Sequence, residues 1–403
     1  MELSKRQILF KLWPFFGYKL LRGATFITSI TFFIYFNEKG ISYFQTSTLL
    51  SVLFFLPVFF EIITGGVADT FGRKFSVLIG IAGELIVLLG IVFVSNYLLL
   101  LALFALLGVV STFTSGADDA WAIELISEDL RDKFLDHYYS LSASCFSVGM
   151  IGAGLLSSLL IIFYGNSSVW LARLIFVSII FLVLLFTHEN FHREKHEELK
   201  LKTFFENIRK GFYHFWNNLN TRNLISGEFF ASMALIGIGS IAMQKYLVQS
   251  SLSEKNWGFV YSVSAIVGVA TPLVASYVSR KFVNQKYYLI IVFLFQLSLF
   301  LTASIILNPF FAVILIFLHN TLEDAFNPVN SSFFQKEIPS DIRAILGSFQ
   351  ATTMGLSALF GTLVGGFLTN GLGGQMAIGI LSLLFVPAIM FYFKIKTPIS
   401  LTK

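Results

Sequence analysis

Long apolar runs alternate with short polar segments along the whole chain. Each run has about 19 or more mostly apolar residues, and a helix needs about 20 of them to cross hydrocarbon about 30 Å thick. The pattern therefore predicts an all-α membrane protein with twelve transmembrane helices. The predicted spans are residues 13–36, 44–64, 76–95, 98–126, 138–164, 168–187, 223–249, 256–279, 286–306, 309–331, 345–370 and 372–394.

Two stretches recur about half a chain apart. Residues 64–74, TGGVADTFGRK, align without a gap with residues 271–281, TPLVASYVSRK. Residues 126–131 align in the same way with residues 338–343, and that register places Gly149 on Gly361. Two matches in the same order indicate two homologous halves. We expect an N-terminal six-helix bundle at 1–187, a cytoplasmic linker with a surface helix at 188–222 and a C-terminal six-helix bundle at 223–403.

Composition agrees with a membrane protein. The chain is 56% hydrophobic and 13% charged, against about 25% charged residues in ordinary soluble domains. The single cysteine, Cys145, excludes an internal disulfide. The net charge is +5, but the basic residues recur at alternate loops instead of forming one face, so we expect no nucleic-acid partner.

Lysine and arginine set the orientation. With the N-terminus inside, only Lys39 and Lys255 of the 28 basic residues fall in predicted outer loops. Basic residues concentrate on the cytoplasmic side of membrane proteins. We therefore expect an integral protein of the bacterial cytoplasmic (inner) membrane, with both termini in the cytoplasm and the lipid bilayer as its solvent.

The turn at residues 64–74 holds glycines and charges at a defined spacing. Gly65 and Gly72 favour close packing and chain reversal, because glycine adopts positive φ without steric cost. Asp69 and Arg73 are four residues apart, within reach of each other. Arg73 and Lys74 would hold the turn on the cytoplasmic side.

This pattern, G-x-x-x-D-x-x-G-R-K, resembles the signature loop between spans two and three of the major facilitator superfamily. The resemblance covers nearly the whole chain and implies two six-helix bundles around a cavity that opens alternately to each side. It implies that the cavity is lined mainly by spans one, four, seven and ten. It also implies that Asp69 lies against the start of span eleven, near residues 344–347, and that Arg73 pairs with Glu128 or Asp129.

Ionisable residues recur at membrane depth, where each is costly unless it is paired or hydrated. Eight acids stand against two bases, so some acids must face water, bind cations or carry protons. Glu84 and Glu124 belong to this set. We expect the remaining members to form a proton and substrate path: Lys19, Arg22, Glu61, Asp118, Asp119, Glu228, Glu323 and Asp324.

Within this path, Arg22 is predicted to pair with an acid of the N-terminal half, with Glu61, Asp118 and Asp119 as candidates. Adjacent helical residues point about 100° apart, so Asp118 or Asp119 can face the cavity while Lys19 and Arg22 are engaged elsewhere. The two aspartates are therefore the first candidates for the proton site, ahead of the acids of spans seven and ten.

Simpler explanations remain open for several charged residues. Glu61 and Glu124 lie near cytoplasmic span ends, where they can pair with loop bases. Glu84 can satisfy a local hydrogen bond in a packed interface. Arg173 and Lys245, near the outer side, are expected to extend toward the membrane surface.

Glycines recur in spans five and eleven and predict close helix packing. The segment 361–366 also resembles an antiporter motif, but it lies in span eleven and has Thr362 where that motif has proline, so we expect packing instead. The predicted packing positions are Gly149, Gly152, Gly154, Gly361, Gly365 and Gly366.

No nucleophile–base set, metal cluster or phosphate-binding loop is present in the sequence, so we expect no enzyme activity, no cofactor and no metal. The first hypothesis is a monomeric, proton-coupled secondary transporter that exports a small organic molecule by alternating access, as in multidrug-type efflux. One alternative is a proton-driven importer of a nutrient or metal chelate. The other is a transport-dead membrane receptor or scaffold.

Overall fold

A computed structural model describes residues 5–126, 128–190, 201–338 and 342–396, and the regular secondary structure in these ranges is helical. The described α-helices up to the linker are α1 Lys5–Ala24, α2 Phe32–Glu38, α3 Tyr43–Phe55, α4 Pro57–Phe71, α5 Arg73–Phe93, α6 Tyr97–Thr112, α7 Ala117–Glu124, α8 Glu128–Tyr164 and α9 Ser167–Leu185. The later ones are α10 Leu201–Asn217, α11 Leu219–Gly237, α12 Met243–Gln249, α13 Trp257–Ser279, α14 Gln285–Ala303, α15 Pro309–Glu337, α16 Arg343–Ser382 and α17 Phe385–Lys394.

The helices are long and apolar enough to account for the predicted spans. Ten helical stretches of the described chain meet the length and composition that a membrane span requires. One of them, Ile345–Lys394, has 50 residues and is interrupted at Gly373, where φ is 82° and ψ is 169°, so it is long enough for two spans. The helices α1 and α2 supply a further stretch that carries Lys11, Lys19 and Arg22. This count is consistent with twelve spans.

The chain divides into two compact units. Unit 1 comprises Met1–Ile41, Val52–Leu201 and Glu254–Ser262. Unit 2 comprises Ser42–Ser51, Lys202–Ser253 and Val263–Lys403. Each unit is drawn mainly from one half of the chain, and the domain boundaries expected from the sequence, 1–187, 188–222 and 223–403, stay a prediction.

Three of the predicted spans are interrupted near their charged residues. A 3₁₀ turn at Thr25–Thr28 follows α1. Span four, predicted as one helix over 98–126, is two helices, because Gly116 has a φ of 73° and begins α7 there. A π-helical segment, Ile238–Ala242, lies between α11 and α12. Such π segments are frequent at functional sites.

Asparagine side chains begin several of the helices. Asn96, Asn218, Asn284 and Asn308 each accept a backbone N–H of the first turn of α6, α11, α14 and α15. These acceptors satisfy donors that a helix N-terminus leaves free.

A lysine lies at the C-terminal end of α5. Lys39 Nζ donates to the carbonyls of Ile91, Val92 and Val94. A cation there complements the negative end of the helix dipole.

Each unit has an aromatic and aliphatic core of its own. In unit 1 the rings of Tyr35 and Trp170 stack with centroids 4.9 Å apart. In unit 2 the ring of Phe293 lies 5.8 Å from that of Phe385 and 5.2 Å from that of Tyr392. These cores fix the helices that present the charged residues described below.

Candidate functional site

Lys19 of α1 joins both aspartates of α7 in one cluster. Its Nζ lies 2.8 Å from Asp118 Oδ2 and 2.8 Å from Asp119 Oδ1. The Tyr138 hydroxyl of α8 also donates to Asp119 Oδ1, at 2.8 Å. Both aspartates stand in the first turn of α7, where the helix dipole favours negative charge. This arrangement neutralises part of their charge and fixes their position.

The prediction that one of the two aspartates faces a cavity while Lys19 is engaged elsewhere is wrong. Instead, one ammonium binds both carboxylates. The prediction also treated span four as one helix over 98–126, whereas Gly116 begins a new helix two residues before Asp118.

A second cluster joins α1, α5 and α9 through Glu84. Arg22 Nη1 lies 2.5 Å from Glu84 Oε2, and Arg173 Nη2 lies 2.9 Å from Glu84 Oε1. Arg22 Nε also donates to the Tyr18 hydroxyl, and Arg173 Nη1 donates to Thr28 Oγ1. One buried carboxylate thus bridges two guanidinium groups.

This cluster confirms one prediction and corrects three. Arg22 does pair with an acid of the N-terminal half, but the partner is Glu84 and none of the proposed candidates Glu61, Asp118 and Asp119. Glu84 makes two ion pairs instead of a local hydrogen bond. Arg173 points into unit 1 and does not extend toward the membrane surface. Residue counting assigned Arg173 to a different depth from Glu84, and only the packing of α9 on α5 reveals their contact.

The turn between α4 and α5 has the glycine geometry that the sequence predicted. Gly72 ends α4 with a φ of 104°, a conformation that side chains with a Cβ rarely adopt. Lys74 donates through its backbone N–H to Glu189 Oε1 and through Nζ to the Thr187 carbonyl, both at 2.8 Å. These contacts tie the turn to the end of span six.

Arg73 also pairs with the end of span four, but through a different acid. Its Nε lies 3.0 Å from Glu124 Oε1, and a contact with Glu128 or Asp129 stays a prediction. The side chains of those two residues lie outside the described part of the structure. The result confirms the simpler explanation of Glu124, which pairs with a loop base.

The other members of the turn are exposed. Asp69 and Gly65 line a small cavity of about 180 Å³ together with Arg73, and a Cβ on Gly65 would meet nothing within 4 Å. The contact of Asp69 with residues 344–347 stays a prediction, and the Ala344 side chain lies outside the described residues. Nearby, exposed Glu61 accepts a hydrogen bond from Ser115 Oγ at 2.9 Å.

In unit 2 the carboxyl group of Glu228 is held by neutral groups. Glu228 is 6% exposed. Asn330 Nδ2 donates to its Oε1 at 2.8 Å, and Gln350 Nε2 donates to its Oε2 at 2.6 Å. The Tyr392 hydroxyl in turn donates to Asn330 Oδ1. Within the described ranges, no lysine or arginine lies within ion-pair distance of Glu228.

Glu323 and Asp324 of α15 likewise lack a lysine or arginine partner among the described residues. Asp324 Oδ2 lies against α13, where a Cβ on Gly268 would come within 2.4 Å of it. The neighbouring Glu323 has an Oε2 3.9 Å from Nε2 of buried His319. A Cβ on Gly239, in the π-helical segment, would approach the same Nε2 to 3.1 Å. The sequence did not single out His319, although its position four residues before Glu323 was a usable signal.

Most of the predicted packing glycines lie at close helix contacts. A Cβ on Gly149 would come within 2.0 Å of the Leu20 carbonyl oxygen, and one on Gly154 within 2.5 Å of the Gly258 carbonyl oxygen. At Gly152, by contrast, a Cβ would meet nothing within 4 Å. The structure therefore explains a glycine at 149 and 154 but not at 152.

The same contacts recur in unit 2. A Cβ on Gly361 would lie 2.6 Å from the Met233 carbonyl oxygen, and one on Gly365 would lie 2.8 Å from the Gly237 carbonyl oxygen. Gly366 is packed against Ser47. Glycine thus brings α16 close to α11, as it brings α8 close to α1 in unit 1.

Ten helical stretches of membrane length in the described chain, with buried ion pairs and carboxyl groups between them, define a polytopic membrane protein. The family can be stated directly. Residues 15–352 match the family model described as Major Facilitator Superfamily, and the chain belongs to that superfamily. The resemblance and the all-α fold inferred from the sequence are confirmed, and a transporter family agrees with the prediction that the protein is not an enzyme.

The individual relatives share little sequence identity with this chain. The uncharacterized MFS-type transporter YxaM of Bacillus subtilis (strain 168) is 21% identical over 382 residues, 94% of this chain and 94% of that protein. The crystal structure of the nucleoside transporter NupG has a TM-score of 0.75 at 18% identity, covering 98% of this chain and 100% of that one. A bacterial homologue of the human lysosomal transporter Spinster has a TM-score of 0.73 at 13% identity, covering 97% of each chain. At these identities the structures establish the fold alone.

Proposed function

We propose that this transporter moves a small organic molecule by alternating access, that protons drive it, and that it works as an exporter. Its membership of the superfamily gives the transporter class. The proton coupling, the direction and the cargo class are inferred from the chemistry of its charged residues.

The observation that carries the proposal is the environment of Glu228. Its two oxygens accept hydrogen bonds from the neutral amides of Asn330 and Gln350. An ionised carboxyl group at membrane depth is costly unless a cation pairs with it or a proton neutralises it. A group in this position can therefore bind a proton in one conformation and release it when its surroundings become wetter.

This proposal moves the first candidate for the proton site from span four to span seven. A proton on Asp118 or Asp119 would have to weaken an ion pair with Lys19. A proton on Glu228 displaces no lysine or arginine described in the structure. Asp324, next to Gly268, is the second candidate for the same reason.

The direction follows from the charge of the proposed cargo. Glu323 and Asp324 present carboxyl groups without a lysine or arginine partner in the described chain, which suits a cationic or zwitterionic molecule. A carboxyl group that binds a proton and a cation in turn exchanges one for the other. Because protons move into a cell down their gradient, such an exchange carries the cation outward.

Proteoliposomes with an imposed pH gradient test the proposal. We expect a screen of organic cations to yield a molecule that accumulates against its gradient, and Glu228→Gln to abolish that accumulation while substrate binding or exchange without a gradient persists. Glu254→Gln, in the 3₁₀ turn before α13, is the matched control and should leave accumulation intact. If Glu228→Gln accumulates substrate normally, span seven is not the proton site. Substrate uptake in symport with protons would support the importer, and no transport of any class would support the receptor.

The turn between α4 and α5 is proposed as the cytoplasmic gate, comprising Gly65, Asp69, Gly72, Arg73 and Lys74. The contacts of Arg73 and Lys74 with Glu124, Thr187 and Glu189 support this role. We expect Asp69→Asn to fold and insert but to shift the populations of the two access states by about 1–3 kcal/mol. Cytoplasmic accessibility of introduced cysteines measures that shift, and unchanged accessibility together with normal transport would reject the gate.

The location of the protein, the side on which its termini lie and its oligomeric state are also part of the proposal. The apolar helices and the family establish an integral membrane protein. The bacterial inner membrane, cytoplasmic termini and a monomeric working form are part of the proposal, supported by the distribution of basic residues.

A further inference from the structure

A cavity lies inside unit 1, beside the Arg22–Glu84–Arg173 cluster. It has a volume of about 190 Å³ and a mostly apolar lining, in which Arg22, Glu84 and Arg173 are the charged residues. Trp170 also lines it. Water occupies about 30 Å³ per molecule in the liquid, so the cavity has room for a chloride ion or a small carboxylate with its waters. It is formed entirely by helices of unit 1.

Two residues that line this cavity carry a buried donor without an acceptor in the described part of the chain. Trp170 is 1% exposed, and its Nε1–H has no hydrogen-bond partner there. Arg173 Nε is likewise buried without a partner among those residues. Both groups can only donate. A buried donor without an acceptor is costly, so the missing partner is an acceptor.

The charges point to the same conclusion. Two guanidinium groups, which stay protonated in proteins, face one carboxylate, and this leaves one positive charge beside the cavity. The cluster of Lys19 with Asp118 and Asp119 leaves one negative charge, so the six residues balance in sum. The ring of Tyr18 contacts both clusters, 5.6 Å from Lys19 Nζ and 5.4 Å from Arg22 Cζ. The charged residues that line the cavity in the described structure are those of the positive cluster, so the positive excess is the one that borders it.

We propose that this cavity is a binding site for a small anion, either a halide or a short carboxylate, held by Arg22, Arg173 and the Trp170 N–H. Glu84 occupies one side of each guanidinium group, and the anion takes donors that Glu84 does not use. This site is independent of the proton and cargo sites proposed in unit 2.

Anion-dependent thermal stability of the purified protein tests the proposal without any transport assay. Sodium chloride, sodium formate and sodium gluconate are compared at constant ionic strength, with gluconate as the bulky, strongly hydrated reference anion. We expect a saturable rise in melting temperature of about 2–4 °C with chloride or formate, because a ligand of the folded state stabilises it. A larger rise with chloride identifies a halide site, and a larger rise with formate identifies a carboxylate site.

Four variants separate a specific site from a general salt effect. Arg173→Gln removes the excess charge and should abolish the saturable rise. Trp170→Phe removes one donor with little change of shape and should lower the affinity for the anion about tenfold. Glu84→Gln raises the local excess to two positive charges and should strengthen anion binding. Arg209→Gln, on exposed α10, is the matched control and should behave as the wild type.

Crystals soaked in bromide give a direct readout. An anomalous peak between Arg22 and Arg173, absent from Arg173→Gln, would support the site. An equal anion response in the wild type, Arg173→Gln and Trp170→Phe would overturn it. So would a cavity that holds only water in the bromide-soaked wild type.

Discussion

The two units handle charge at membrane depth in opposite ways. In unit 1, Lys19, Arg22 and Arg173 pair with Glu84, Asp118 and Asp119, three bases with three acids. In unit 2, Glu228, Glu323 and Asp324 have no lysine or arginine partner among the described residues. Spans one and seven hold corresponding places in the two halves, yet span one carries two bases and span seven carries an acid.

This difference between the units indicates which acids can exchange a proton. An acid paired with a permanent cation loses an ion pair when it takes up a proton, whereas an acid held by amides does not. The paired acids of unit 1 therefore suit a structural role, and those of unit 2 suit proton exchange. Both units also use glycine-mediated helix contacts, so close helix packing is common to them and the pairing of charges is not.

The largest expected effect comes from the same substitution made in each unit. Glu84→Gln leaves Arg22 and Arg173 without their carboxylate, and breaking a buried ion pair costs about 3–5 kcal/mol. Glu228→Gln removes a potential buried charge, and a turn of the Gln350 amide by 180° lets its oxygen accept from the new N–H, so we expect the stability to stay within about 1 kcal/mol of the wild type. Thermal unfolding in detergent micelles or nanodiscs compares the two.

A companion variant checks the reason for this difference. Arg22→Gln combined with Glu84→Gln should recover part of the stability lost in Glu84→Gln, because it removes one unpaired cation. Equal melting temperatures for Glu84→Gln and Glu228→Gln would show that the contrast between the two units has no energetic consequence.

A helix contact gives the next largest effect. Gly149→Ala would place a methyl group against the Leu20 carbonyl oxygen, at a position where a Cβ comes within 2.0 Å, and we expect a loss of about 1–3 kcal/mol. Gly152→Ala, three residues along the same helix, meets nothing within 4 Å and should be neutral or stabilising by about 0.5–1 kcal/mol. Melting temperatures measured in one micelle type distinguish them, and equal losses would refute the contact.

Smaller effects are expected for the aspartates of α7. Lys19 binds both of them, so either Asp118→Asn or Asp119→Asn alone leaves one carboxylate in place and should cost about 1 kcal/mol. The double variant leaves Lys19 unpaired and should cost more than the two single losses together. Strictly additive losses in thermal unfolding would show that the two carboxylates do not share Lys19.

The smallest effect is expected at the surface of unit 1. Arg73 and Glu124 are each about one third exposed, and pairs of this kind contribute about 0.2–1 kcal/mol. Arg73→Gln should therefore change the melting temperature little but should lower transport, since the turn is proposed as the gate. A large loss of stability with normal transport would assign the pair to folding instead.

The sequence alone determined the features that depend on local pattern. Apolar runs of membrane length, the distribution of basic residues and the motif at 64–74 led to the membrane class, the family and the all-α fold. Gly72 was predicted to reverse the chain, and its φ of 104° agrees. Gly149 and Gly361 were matched by the repeat register, and both lie at close helix contacts. These features are readable because they depend on residues near one another in sequence or on composition.

Only the tertiary structure decided which charges meet. Residue counting placed Arg22 near Glu61, Asp118 and Asp119, whereas its partner is Glu84, 62 positions away. The pairing of Arg173 with Glu84 depends on how α9 packs against α5. Both aspartates of α7, the helix that begins after Gly116, contact Lys19. Helix rotation and interruption decide these contacts. A shift of one residue along a helix changes the direction of a side chain by about 100° and brings it to another neighbour.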